Sequence, residues 1–213
     1  MQLKHLLFIS LLFSSFVGIA QGSKGMKYIG GSIGFNTQKA SSSQLANSQK
    51  ESGFYFNPSL GWFLNDHMVG GIEFYTNNSR SESGTPSTST KRNSLGIGVF
   101  GRSYQKLGKG FFLFAHHNIS YSSDRYDYAV SGSSQSKSSG YSLQTNLYPG
   151  LSYAIKKKLL VETSMGNLFY AGYSHSNNPG NSQNSDLSIN RFSMGINANA
   201  FSSLNLGLRF LLD

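Results

Sequence analysis

The chain has 213 residues, among them 24 Gly, 16 Phe, 12 Tyr, 4 Pro and no Cys; charged residues make up 13%, and the formal net charge is +9. Without cysteine, a disulfide-stapled scaffold, a Cys-ligated metal domain and a lipoprotein are all excluded. Plentiful Gly, Ser and Asn beside few Glu and Lys argue against a helical enzyme, and this length sets the expectation of one domain.

The chain opens MQLKHLLFISLLFSSFVGIAQG. Lys4 and His5 form a cationic start, residues 6–17 are an apolar run, and Gly18 and Ala20 are small residues before a cut. That order reads as a signal peptide over 1–20, leaving 21–213 as an exported barrel domain. The run is shorter than the ~20 apolar residues a spanning helix needs.

From Lys27 onward the side chains alternate with period two, the strand signature. Seven segments follow the rule: 27–37, 52–64, 68–77, 93–104, 111–122, 140–154 and 159–170. The eighth runs from Phe192 to Leu212, with Phe192, Met194, Ile196, Leu204, Leu206 and Leu208 on one face. The seventh falls out of phase after Gly166, because Leu168 and Tyr170 land on the polar face; a bulge there is expected. Connections alternate in length. Short ones follow strands two, four and six, and long polar tracts such as NSRSESGTPSTSTKR follow strands one, three, five and seven. Long loops kept to one end are the pattern of an outer-membrane barrel.

An eight-stranded barrel has an interior that side chains only just fill. One face carries Phe, Trp, Leu, Ile and Met on nearly every strand, too bulky for that interior, whereas the Gly, Ser, Asn and Ala face fits it. The apolar face therefore points outward, into lipid. The fold class that follows is all-β: an eight-stranded antiparallel transmembrane up-and-down β-barrel. Pro58 and Pro149 lie mid-strand, where a closed barrel has no edge to hide a missing ladder bond, so a bulge is expected at each.

The fragments NPSLGWFLNDHMVGG, IGVFGRSYQKLGKGFFLFAHHNISY and LYPGLSYAIKKKLLVETSMGNLFY are similar to the small outer-membrane β-barrel family of Bacteroidota, porin-like and OmpX-type in form. The final LNLGLRF resembles that family's closing strand. The resemblance implies outer-membrane location, with membrane lipid, lipopolysaccharide and the barrel-insertion machinery as partners, and no catalytic residues to carry over. The family tends to end on an aromatic residue, whereas Leu211-Leu212-Asp213 follow Phe210 here.

Residues with chemical potential are few. His116 and His117 are neighbours and face opposite sides of a strand, so they cannot chelate one ion together; His67 falls in a turn and His175 in a loop. Ser174-His175-Ser176 has no acid nearby until Asp186. Gly30-Gly31-Ser32-Ile33-Gly34 has no following helix to make it a phosphate loop. Lys91-Arg92 at a loop root is a place for lipopolysaccharide groups or simply solvated charge. No cofactor, metal or nucleic acid is expected, a monomer is expected, and the long tracts offer surface to an extracellular partner.

The polar face carries a structural lumen cluster of Glu73, Arg102, His116, Glu162 and Arg209, all at similar depth. Glu73 and Arg102 have their midpoint between 87 and 88, inside the intervening tract, so hairpin pairing is expected to join them. Glu162 and Arg209 lie on neighbouring strands. Buried charges cost several kcal/mol unless paired, and two Glu against two Arg supply the balance; the alternative is that each bonds to local Ser and Asn. The reading is a non-enzymatic barrel, structural or surface-interacting, with a polar plug. The alternatives are a lipid-modifying enzyme on the same barrel and a secreted soluble barrel binding a small apolar ligand.

Overall fold

The computed structural model describes residues 22–41, 48–83, 88–130, 136–178, 187–197 and 204–212. The signal-peptide segment 1–20 lies outside the described residues, and so do the central residues of the long tracts. Among the described residues every regular element is a β-strand. These are β1 (Lys27–Ser41), β2 (Ser48–Asn65), β3 (Met68–Ser83), β4 (Thr88–Gly108), β5 (Phe111–Val130) and β6 (Ser136–Lys156). They continue with β7 (Leu159–Met165), β8 (Phe169–Asn178), β9 (Leu187–Ile196) and β10 (Leu204–Leu212).

All pairings are antiparallel. Each of β1 to β6 pairs with the next, β6 pairs with β7, β7 with β10, and β10 returns to β1. This ring closes the half of the barrel that holds the short turns. In the other half, β8 takes over beside β6 and carries β9. The expected seventh strand is thus two pieces, β7 and β8, broken at 166–168. The expected eighth is β9 and β10, with 198–203 outside the described residues. Partner lines climb around the wall, as tilted barrel strands require. Lys27 faces Trp62 three residues before the end of β2, whereas the same line, through Gly70, Gly101 and His117, meets Leu147 well inside β6.

Side-chain alternation dictates the two faces. Ile97, Val99, Leu113, Ile119, Leu143 and Leu206 point outward, with Leu95 69% and Phe35 77% exposed. Glu73, Arg102, His116, Glu162 and Arg209 point inward and are buried. Among the described residues, positive φ occurs at Gly25, just before β1, and between β4 and β5, where Gly108, Lys109 and Gly110 all have it.

Three expectations change. The long tracts are not mostly loop: β1 with β2, β3 with β4 and β5 with β6 pair in unbroken register far beyond the apolar band, up to Ser41↔Ser48, Ser83↔Thr88 and Tyr128↔Ser136. Ser, Thr and Tyr on paired strands keep the ladder going where hydropathy alone reads as loop. Second, no bulge forms at either proline. Gly31 faces Pro58 and Ala115 faces Pro149 in regular ladders. On its other side Pro58 lies in a gap in the β2–β3 ladder, whose register is the same before and after it. Pro149 lies between Leu147, where β8 ends its pairing, and Gly150, where β7 begins. In both places a backbone N–H would have met no ladder partner, so proline costs little. Third, Tyr170 keeps its phase. It faces Gly195, whose missing side chain leaves room for the ring on the inner face. Leu168 instead sits in the break, its N–H bonded to Leu147 O at 2.8 Å.

Candidate functional site

The lumen is built in three storeys. The lowest is apolar, not small and polar as volume arguments from sequence suggest. Tyr28, Phe63, Phe100, Tyr104, Phe112 and Phe114 fill it, packed with Val69, Leu160 and Leu211. The bulk fits because rings stand over glycines on the facing strand: Tyr28 faces Gly61, Phe100 faces Gly71 and Phe114 faces Gly150. A Cβ at any of these glycines would run into the ring opposite. Large and small side chains therefore interdigitate across the wall to fill the interior.

The middle storey is the charge cluster. Arg102 Nη1 donates to Glu162 Oε2 at 2.6 Å, and Tyr104 OH donates to Glu162 Oε1 at 3.0 Å. Arg209 Nε lies 3.2 Å from Glu162 Oε2, close enough for an ion pair yet off the hydrogen-bond direction, while its Nη1 donates to Ser59 Oγ at 3.1 Å. Arg102 Nε donates to His116 Nδ1 at 3.0 Å. A guanidinium only donates, so Nδ1 must be the bare nitrogen and the ring proton sits on Nε2. That nitrogen faces Glu73 Oε1 at 3.4 Å. Glu73 Oε1 also accepts from Asn118 Nδ2 at 2.8 Å and from Tyr75 OH. With His116 neutral, two carboxylates balance two guanidiniums.

Aromatic faces hold the cluster from below and from the sides. The Arg102 guanidinium lies 4.3 Å from the Phe114 ring centre, and Arg209 lies 5.4 Å from that of Tyr28. His116 is stacked between Phe100 at 5.0 Å and Tyr148 at 4.6 Å. A cation over a ring away from water is favourable by ~1–2 kcal/mol, which adds to the ion pairs.

All five sequence-derived cluster residues are brought together, but with different partners. Arg102 faces Val69, and Glu73 faces Gly98, a stagger that separates the expected Glu73–Arg102 pair. Arg102 reaches across to Glu162 instead, and Glu73 joins the network through His116. Glu162 and Arg209 do meet, as diagonal neighbours, since Glu162 faces Gly207 and Arg209 faces Leu160. Tyr75, Tyr104 and Asn118 are members that sequence reasoning missed; each stands two residues from a cluster residue, hence on the same face.

The upper storey is a cavity of about 350 Å³, lined by amides and hydroxyls including Asn57, Asn77, Asn146, Tyr75 and Tyr148. At its wall Arg92 Nη2 pairs with Asp124 Oδ1 at 3.1 Å, and Ser94 OH also donates to Asp124. This pair was not anticipated, because β5 runs on past 122. It turns Arg92 inward and leaves Lys91 alone of the two on the outer face. Tyr55 OH donates to Asn205 Oδ1, tying β2 to β10 across Gly34. His117 and His175 face away from the cluster. His117 is exposed and bonded to Thr145 Oγ1 at 2.8 Å; His175 is bonded to Asn190 Oδ1 at 2.8 Å, on the opposite face of β8 from Ser174 and Ser176.

No protein-family model matches the chain, and no curated protein sequence matches it. Among solved structures, the chain is similar to the translocator domain of the autotransporter NalP from Neisseria meningitidis, with TM-score 0.45 and 12% identity over 91% of this chain. It spans 65% of that domain, less than two thirds. It is also similar to neisserial surface protein A, with TM-score 0.35 and 21% identity over 89% of this chain and 98% of the other. A major outer membrane protein from Thermus thermophilus gives TM-score 0.40 and 8% identity, covering 88% of this chain and 99% of the other.

Proposed function

We propose that this chain is an exported outer-membrane β-barrel with a closed lumen and a non-enzymatic role, structural or surface-interacting, exercised through the hairpins at its long-loop end. Membrane placement is supported by the outer face. Trp62, Phe111, Tyr153 and Phe210 ring the short-turn end, and Phe35, Phe54, Tyr121 and Tyr141 ring the other, with aliphatic side chains between. From Trp62 to Phe54, at ~3.3 Å per residue and ~40° tilt, the band is roughly 20 Å tall, which suits the ~25 Å apolar belt of such barrels. An apolar outside of this extent is stable only in lipid.

The observation that carries the closed-lumen reading is the stacking of a neutralised ion cluster on an aromatic floor, with Arg102 2% and His116 1% exposed. To pass a solute, the barrel would have to break the Arg102–Glu162 pair and displace several packed rings. Planar-bilayer recording of the purified protein is the test. Closed traces with at most rare, brief openings are expected; a steady, solute-passing conductance would overturn the reading.

A further inference from the structure

On six successive strands the outward positions above the apolar band repeat one order: a lower residue, then a small neutral polar residue, then a cation. The lower residue is aromatic or aliphatic on five strands and Thr76 on β3. On β1 the order is Phe35, Thr37, Lys39; on β2 it is Phe54, Ser52, Lys50; on β5 it is Tyr121, Ser123, Arg125. The cations are Lys39, Lys50, Arg80, Lys91, Arg125 and Lys137, all exposed. Register places them at nearly one height. Lys39 faces Lys50, and Arg80 faces Lys91. Between these pairs the ring steps back two residues, from Glu82 to Arg80 and from Asp127 to Arg125, which offsets the climb of the partner lines. Lys137 stands one outward position higher.

Two features mark this collar as unsatisfied by the protein. Two of its contacts set like charges directly opposite each other, which a sheet normally avoids. Among the described residues, the outer face answers these six cations with two carboxylates, Glu82, which pairs with Arg80 at 2.6 Å, and Asp127, which faces Lys91 and Lys137. Height identifies the missing anion. The collar is four residues above the upper edge of the band, about 10 Å at ~3.3 Å per residue and ~40° tilt. The headgroup zone of an ordinary phospholipid leaflet is only about 5–8 Å deep. Between band and collar lies a row of hydroxyls and amides, Thr37, Ser52, Asn78, Asn93, Ser123 and Ser139, suited to sugar hydroxyls.

We propose that the collar binds the sugar-borne phosphates of an anionic glycolipid in the surrounding leaflet, with the sugar rings against the neutral row. This rests on the membrane reading above. The test reconstitutes the full chain in phosphatidylcholine vesicles, alone or with diphosphorylated lipid A, dephosphorylated lipid A or phosphatidylglycerol. Binding and the temperature of the heat-induced gel-mobility shift are measured. The wild type should bind the diphosphorylated glycolipid and melt later, an effect that weakens with added salt. The variant Lys39→Gln, Lys50→Gln, Arg80→Gln, Lys91→Gln changes only exposed side chains, so it should insert and melt normally in phosphatidylcholine. It should bind the glycolipid about six-hundredfold more weakly, at roughly fivefold for each of the four charges. Equal binding by the variant, or by the dephosphorylated glycolipid, overturns the collar. Equal binding of phosphatidylglycerol overturns the sugar-phosphate assignment. Failure of the wild type to insert in phosphatidylcholine alone defeats the membrane reading and the collar with it.

Discussion

Glu162 is the residue on which the lumen's charge balance turns. It is 3% exposed and serves Arg102, Arg209 and Tyr104. Its replacement by Gln leaves two buried guanidiniums facing no carboxylate in their own contacts, and breaking such a pair costs about 3–5 kcal/mol. Glu73, by contrast, is held by neutral donors, Tyr75, Asn118 and the Nε2–H of His116. Glu73→Gln keeps an acceptor there and is expected to cost about 1–2 kcal/mol. Urea unfolding of the two variants in lipid vesicles compares them directly. A Glu73→Gln loss as large as that of Glu162→Gln would show that Arg102 depends on Glu73 after all.

At the scale of strands, glycine has two distinct uses in this wall, and the same substitution separates them. Gly150 lies under the Phe114 ring, and a Cβ there would also meet Thr163 O at 2.6 Å. Gly101 faces outward with nothing within 4 Å of a Cβ. Gly150→Ala should therefore destabilise by about 1–3 kcal/mol through overpacking, whereas Gly101→Ala should change stability little. The prolines make a parallel case. Pro149→Ala adds an N–H on the side of β6 that has no ladder partner between β8 and β7, so a loss of no more than about 1 kcal/mol is expected, arising from the freer unfolded chain. A loss of several kcal/mol in a denaturant titration would mean that the ring shapes β6 itself.

For the molecule as a whole, the closed ladder leaves no edge in the short-turn half, and on the membrane reading proposed above the apolar band lies against lipid. Protease added to intact cells should therefore cut only in the tracts around 42–47, 84–87, 131–135 and 179–186. The ring should stay assembled, because its strands remain hydrogen-bonded to both neighbours after a nick. Gel mobility without boiling reads this: nicked protein should still run as the compact form, then fall to fragments on heating. Cleavage within the apolar band, or release into the medium, would place the chain outside the membrane.

The inward and outward faces were legible in the sequence, because a strand side chain has only two directions and the alternation holds over most of the chain. For the same reason the five cluster residues could be named from their parity alone. Their partners could not. Pairing depends on register across separate hairpins, and the stagger that sends Arg102 to Glu162 instead of Glu73 is fixed by the β3–β4 register and by the height at which β7 stands across the lumen. The aromatic floor was hidden for a related reason. Phe63, Phe100 and Phe114 look too large for a narrow interior until their cross-strand neighbours are known, and only the closed barrel places Gly71 opposite Phe100 and Gly150 opposite Phe114. Composition also concealed the reach of the hairpins, since Ser and Thr suit loop and strand alike. What decided between them was the paired strand alongside, an interaction no single segment contains.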